Sequence, residues 1–217
     1  MCGRYALFRW PQALTALPGF PAEQQPHWNI APGANVLMVR HEAGQRHAAS
    51  ARWGLTPPWL TDWSRTPAQA RAETLAEQPM FREALRQRRC LLPANGFYEW
   101  RNLPSGKAAY YIRPADQMLF AFAGVYGTWT DPDGKEFGMC AIITTNSGVE
   151  SDMTPSRLPV IIDPADEADW LNPDIQDINS LYKIMRPYDP ELLTITRVSD
   201  AINSPKPNSP DLIASIR

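Results

Sequence analysis

The sequence predicts an α+β fold with a mostly antiparallel sheet or a small barrel. Three observations carry that expectation. Strand-like runs crowd the middle of the chain, short helical patterns lie around them, and turn signals at Gly44 and at DPDG (131–134) join neighbouring strand candidates. The 22 prolines are scattered over 217 residues and punctuate loops rather than forming one linker. With no repeat, low-complexity tract or composition break, a single domain over 1–217 is expected.

Each element has a local reason. RWPQALTALP (9–18) reads as a short helix opened by Pro11 and stopped before Pro18. NVLMVR (35–40) and HAASARW (47–53) read as strands, with Gly44 in the turn between them. Segments 67–74 and 78–88 read as two short helices; in the second, Met80, Phe81, Ala84 and Leu85 share one face. Strand candidates follow: CLLPANGFYEWR (90–101), AAYYIRP (108–114), MLFAFAGVYGTW (118–129) and FGMCAIITT (137–145). DPDG (131–134) predicts a hairpin between the last two. PADEADWLN (164–172) has the proline and early acidic residues of a helix start. NSPKPNSP (203–210) reads as an extended tail lying on the core.

Composition excludes several function classes. No apolar run nears the roughly 20 residues of a membrane helix, and MCGRYALFRW has no long apolar region of a secretory signal. A net charge of −2 excludes a polycation, so nucleic-acid binding needs a local basic surface. Cys2, Cys90 and Cys140 are an odd set with no CxxC pair, which predicts neither a disulfide framework nor a zinc site. A cytoplasmic protein without metal or cofactor is expected. The three histidines, His27, His41 and His47, all lie early, so a catalytic base later in the chain must be something else. No Gly-rich phosphate loop, HExxH or GxSxG occurs.

Four features carry candidate chemistry. An ordinary cysteine is a small buried apolar residue, but Cys2 is set apart by its position. Removal of the initiator Met leaves a Cys with a free α-amine beside its thiol, and an α-amine of pKa about 7.7–8.0 is partly neutral at pH 7. Such a 1,2-aminothiol forms an imine with an aldehyde and closes to a thiazolidine. Glu99, amid Phe97, Tyr98 and Trp100, is a candidate for a desolvated acid–base carboxyl, with an edge-strand Glu facing water as the ordinary alternative. Arg4, Arg71, Arg82, Arg86, Arg88, Arg89 and Arg101, interleaved with Trp53, Trp59, Trp63 and Trp100, suit single-strand nucleic-acid binding, or equally a tryptophan core under a solvated arginine face. WNIAPG (28–33) and WGLTPPW (53–59) are rigid loops of the kind that carry sites, or plain turns.

In this order the features resemble one family, the SOS response-associated peptidases, which act as abasic-site processing proteins on single-stranded DNA. The matching strings are MCGRY, WNIAPG, RWGLTPPW, ARAET, RCLLPANGFYEW, FAFAGVYGTW, AIITTNS, SRLPVII and VSDAINSPK, spread over nearly the whole chain. The resemblance implies a bifurcated, mostly antiparallel sheet closing into a small barrel with short helices outside. It implies that Cys2 forms the thiazolidine with the ring-opened sugar of an abasic site and that Glu99 shuttles protons. Arg4 and Arg71 are expected to hold phosphates; Pro32, Trp59 and Trp100 to wedge or stack against bases, with Asn29 among the DNA-contacting residues. The partner implied is single-stranded DNA bearing an abasic site, bound by a monomer with no membrane involvement, nucleoid-associated when on DNA. Lyase and autoproteolytic activities belong to the same expectation.

Two positions depart from the family pattern. Gln69 stands before ARAET where Asn is usual; it keeps the amide on a stem one methylene longer and is expected to retain an orienting role. Pro155 stands where a His is usual, four residues before Pro159, and proline transfers no proton. Thr154 or Ser156 would supply a hydroxyl nearby. Crosslinking is therefore expected to persist while lyase turnover or self-release slows. The alternative is a non-catalytic single-strand binder that has lost part of the chemistry. A thiol peptidase ranks third, because no Cys–His pair is visible.

Overall fold

The computed structural model describes residues 2–57, 59, 66–131, 133–149 and 155–216. Thirteen strands occur among them: β1 Arg4–Leu7, β2 His27–Ile30, β3 Asn35–Glu42, β4 Gln45–Trp53, β5 Gln69–Arg71, β6 Arg89–Ala94, β7 Gly96–Leu103, β8 Gly106–Pro114, β9 Phe120–Thr130, β10 Glu136–Asn146, β11 Arg157–Pro159, β12 Ile161–Ile162 and β13 Leu193–Val198. The helices are short: α1 Gln12–Thr15, α2 Ala72–Leu75, α3 Arg82–Gln87, α4 Glu167–Leu171 and α5 Ile178–Ile184.

Strands β10, β4, β3, β6 and β9 are hydrogen-bonded in that order, and β9 pairs with β10 to close the ring into a five-stranded barrel. All its pairings are antiparallel except β4 with β10, where Cys140 stands opposite Trp53. Period-two alternation sorts the side chains. Phe120, Phe122, Cys90, Leu92, Cys140 and Ile142 point into the barrel. Ala121, Ala123, Val125, Met139, Ala141 and Ile143 point outward, where Leu75, Leu85, Trp170 and Leu181 of the helices cover them. A barrel this narrow is filled by side chains. Gly124 makes room for that filling, since a Cβ there would lie 2.8 Å from Cys90 Sγ.

A second sheet, β13-β8-β7-β1-β2, is antiparallel throughout. It caps the barrel with Tyr5, Leu7 and Phe97, and its other face holds Ala6, Tyr98 and Tyr111 beneath the C-terminal residues Ile202 and Leu212. The mixed, bifurcated sheet and the short helices agree with the fold class read from the sequence.

Asn95 is where the chain passes from barrel to cap. Its Oδ1 accepts from the N–H groups of Phe8 (2.7 Å) and Arg9 (3.0 Å), and its Nδ2 donates to the carbonyls of Arg9 (2.9 Å) and Met118 (2.6 Å). Gly96 follows because a Cβ there would sit 2.2 Å from the Tyr111 ring. Segment 90–101 is therefore two strands in different sheets rather than one.

The helix expected at 67–74 is corrected. Gln69–Arg71 is a strand paired in parallel with β10, and only Ala72–Leu75 is helical. Pairing with a central strand overrides local helix propensity here. The helix expected over 78–88 shrinks to Arg82–Gln87, since Pro79 disfavours helical backbone at Gln78. The helix at 9–18 is one turn. The antiparallel pairings β3–β4 about Gly44 and β9–β10 are present as expected. Trp63, Thr154 and the Met1 whose removal was anticipated lie outside the described residues.

Candidate functional site

The site is built where β1 meets β7. In their antiparallel register Arg4 faces Tyr98 and Tyr5 faces Phe97. Continued one step further, that register brings Gly3 beside Glu99. Glu99 lies two residues beyond Phe97, on the face turned toward the barrel. It is therefore the polar end of an apolar stripe and is only 4% exposed. Burial raises its carboxyl above the ordinary value, with the Trp100 backbone N–H and Lys107 among the groups opposing.

Cys2 is fully enclosed. Burial first, and the Glu99 carboxylate second, push its thiol well above the ordinary range, so thiol and carboxyl feel one another's charge. Sγ lies 3.8 Å from the Arg4 carbonyl. Gln69 Nε2 donates to the Cys2 carbonyl. The amide that departs from the family pattern is thus applied directly to the candidate nucleophile. Gln69 reaches it because β5 is threaded against β10, with Trp53 Nε1 donating to Ala68 O at 2.8 Å just before. Tyr5 stacks edge-on against Trp53 at 5.2 Å and forms the floor. The thiols of Cys140, Cys2 and Cys90 all act on the Tyr5 phenol, which burial raises most. Sequence reading missed that floor, because nothing local marks Tyr5 or Trp53 as neighbours.

The expected DNA-contacting residues fall into two groups. Pro32, Trp59 and Arg71 are exposed, Trp59 at 68%. Trp100 is half-buried; Lys107 Nζ lies 5.8 Å from its ring, and its Nε1 donates to Asn203 Oδ1 at 2.6 Å. Arg4 is half-buried and Asn29 buried, and both are engaged with the C-terminal segment. Arg4 Nη1 donates to Asn29 Oδ1 (2.6 Å), Ile202 O (2.9 Å) and Ser204 O (3.4 Å). Asn29 Nδ2 donates to Ser204 O (2.9 Å) and Pro207 O (2.8 Å). Asn29 is 2% exposed, and both ends of its amide are occupied by protein partners.

Arg89 is also turned inward. It donates to the carbonyls of Trp170, Leu85, Arg86 and Asn172, and burial lowers its pKa to about 10. It fastens helices to the barrel and leaves the basic surface to its neighbours. Arg101 stacks on Tyr110 at 4.3 Å. Arg157, two residues after Pro155, pairs with Glu73 at 2.8 Å where β10 ends and β11 begins. No cluster of three or more His, Cys, Asp or Glu suited to a metal occurs among the described residues. No described helix is long and apolar enough to cross a membrane.

A family model described as SOS response associated peptidase (SRAP) matches residues 1–205. The chain belongs to the SRAP family. Its curated relatives carry the name abasic site processing protein. YoqW of Bacillus subtilis strain 168 is 39% identical over 225 residues, covering 99% of this chain and 100% of its own. HMCES of Xenopus tropicalis is 29% identical, covering 88% and 67%. YedK of Escherichia coli strain K12 is 27% identical, covering 81% of each. A crystal structure of a Bacteroides thetaiotaomicron protein superposes over all of both chains with a TM-score of 0.87 at 24% identity, so the two share one fold. In this SRAP chain the segments that meet at the site are β1, which follows Cys2, and β7, which carries Glu99.

Proposed function

We propose that this protein captures abasic sites in single-stranded DNA covalently through Cys2. Once Met1 is removed, the Cys2 amine attacks the C1′ aldehyde of the ring-opened sugar, forming an imine and releasing water. The thiol then adds across the C=N bond: an S–C1′ bond forms and the thiol proton ends on the ring nitrogen. The observation that carries this reading is the pairing of Cys2 with a buried carboxyl at Glu99, next to a side-chain amide that grips the Cys2 carbonyl.

The electrostatics divide the labour. A thiol held well above its ordinary pKa reacts as S–H at neutral pH and needs a base at the moment of addition. Glu99, raised and dry, is matched to that exchange and to the proton transfers of sugar ring opening. Gln69 fixes the backbone of the nucleophile. Arg71 and the half-buried Arg4 would meet phosphates, and Trp59 and Trp100 would stack on bases, so affinity would fall with salt. A stacked duplex would keep C1′ away from a chain terminus, which favours single strands.

Lyase turnover and self-release are expected to be slow, because Pro155 supplies no imidazole. The Gln69 contact favours the crosslinking reading over the non-catalytic binder, since a member that had lost its chemistry has no reason to hold the Cys2 carbonyl. Intact mass spectrometry before and after incubation with an abasic oligonucleotide tests the proposal. The expected product is the protein without Met1 plus the oligonucleotide, less one water. Protein that binds the oligonucleotide yet shows no mass increment would leave the binder in its place.

A further inference from the structure

The C-terminal segment touches the neighbours of both candidate reacting groups. Arg4, two residues after Cys2, donates to the carbonyls of Ile202 and Ser204. Trp100, one residue after Glu99, donates to Asn203. Asn29 holds Ser204 and Pro207 and also accepts from Arg4, while the Trp28 N–H donates to Asn208 Oδ1 at 2.8 Å. Residues 202–208 thus form a strap across β1, β2 and the middle of β7, and Ile202 is buried as its apolar anchor.

β1 needs such a fastening. It is four residues long, and Cys2 and Gly3 lie beyond its paired residues. A chain end with few ladder bonds frays unless side chains tie it down. Here the tie is a buried amide used at both ends, bridging the β1 arginine to a segment that lies 175 residues beyond Asn29 in sequence. Only Nη1 of Arg4 is engaged with protein among the described residues, so the same guanidinium can hold the strap and still face a phosphate.

We propose that Asn29 is a positioning residue, acting through Arg4 and the 202–208 strap to hold Cys2 against Glu99. The proposal rests on the crosslinking reading above. Asn29 touches no reacting atom. Its effect is to keep the start of β1 in one place, and angstrom-scale misplacement of a reacting group costs up to about 100-fold in rate.

The test uses the full chain with Met1 removed and three variants. Asn29→Ala removes every strap contact of the amide. Asn29→Asp keeps an acceptor for Arg4 but turns a second oxygen on the Ser204 and Pro207 carbonyls. Asn203→Ala, at an exposed position, breaks only the Trp100 contact and does not endanger folding. Each is read by amide hydrogen exchange over residues 3–7 and 199–208, by affinity for an undamaged single-stranded oligonucleotide, and by the crosslinking rate at saturating protein with an abasic one.

Faster exchange in both segments, a saturating rate lowered about tenfold or more in both Asn29 variants, and undamaged-strand affinity near wild type are expected. Asn203→Ala is expected to give a smaller change in the same direction. A strap that exchanges freely while the saturating rate stays at the wild-type value would overturn the proposal. So would a loss of undamaged-strand affinity equal to the loss of rate, which would make Asn29 a DNA-binding residue. Absence of any adduct from the wild-type protein would instead refute the crosslinking reading, and exchange over 3–7 still reports whether the strap fixes β1.

Discussion

On the proposed reading, replacing Glu99 by Gln preserves shape at a position 4% exposed and removes the carboxylate that acts on the Cys2 thiol. Loss of a positioned general base costs roughly 10²–10⁴ in rate, and about 100-fold is expected here because the amine step retains water as an alternative acceptor. The pH profile is the sharper readout. Burial raises the Glu99 carboxyl, so its base form appears only above the usual carboxylate range. Wild-type crosslinking at saturation should climb along a limb whose midpoint lies above about 4.3, and Glu99→Gln should lose that limb. Stability gives a second sign. An acid whose folded pKa is raised destabilises the fold when ionised, so the Gln variant should gain stability over wild type as pH rises past that value. Rates would be followed by quenched denaturing gels from pH 4 to 8. A Gln variant within about threefold of wild type at every pH, keeping the limb, would remove Glu99 from the chemistry.

Cys2→Ser keeps the amine and loses the thiol, so it should give no stable adduct, yet borohydride should trap its imine; Cys2→Ala should behave the same way, and a heat-stable Ser adduct without reductant would exclude the thiazolidine. Asn95→Ala leaves two N–H groups and two carbonyls without their partner. Because Arg9 and Met118 are exposed and can rehydrate, a loss of about 2–4 kcal/mol is expected in urea denaturation, and a loss under about 1 kcal/mol would deny Asn95 its role between the sheets. Glu73 would be raised by its partial burial, but hydrogen bonds from Arg157 and the Asn146 backbone bring it down to about 2. Its folded pKa is depressed, so its contribution is present above about 4.3 and fades as pH falls toward 2; half-exposed, it is worth under about 1 kcal/mol. Wild type and Glu73→Gln should therefore differ in thermal stability at pH 6 and converge near pH 2.

What the sequence made legible was whatever local patterning decides. The two hairpins announced themselves through Gly44 and DPDG, and alternation along 118–129 and 137–145 marked the longest barrel strands. Cys2 and Glu99 drew notice by position and by an aromatic surround, and the structure buries both and places them close enough to feel one another's charge. What stayed hidden depends on partners distant in the chain. Gln69–Arg71 is a strand because β10 is beside it, and no property of QAR says so. β1 is four residues inside a string that reads first as chemistry, and its fastening lies in the tail.

Asn29 shows the limit most clearly. A polar residue in a Pro-Gly-rich loop reads as a surface contact, because local sequence carries no information on what covers it. In the structure that cover is the segment around Ser204 and Pro207, and the Asn29 amide bonds it on one side and Arg4 on the other. Arg4 is drawn into the same bond while remaining half-exposed. The segment that begins at Cys2 and the segment around Ile202–Ser204 are thus bound to one another through Arg4, although some 200 residues separate them in sequence.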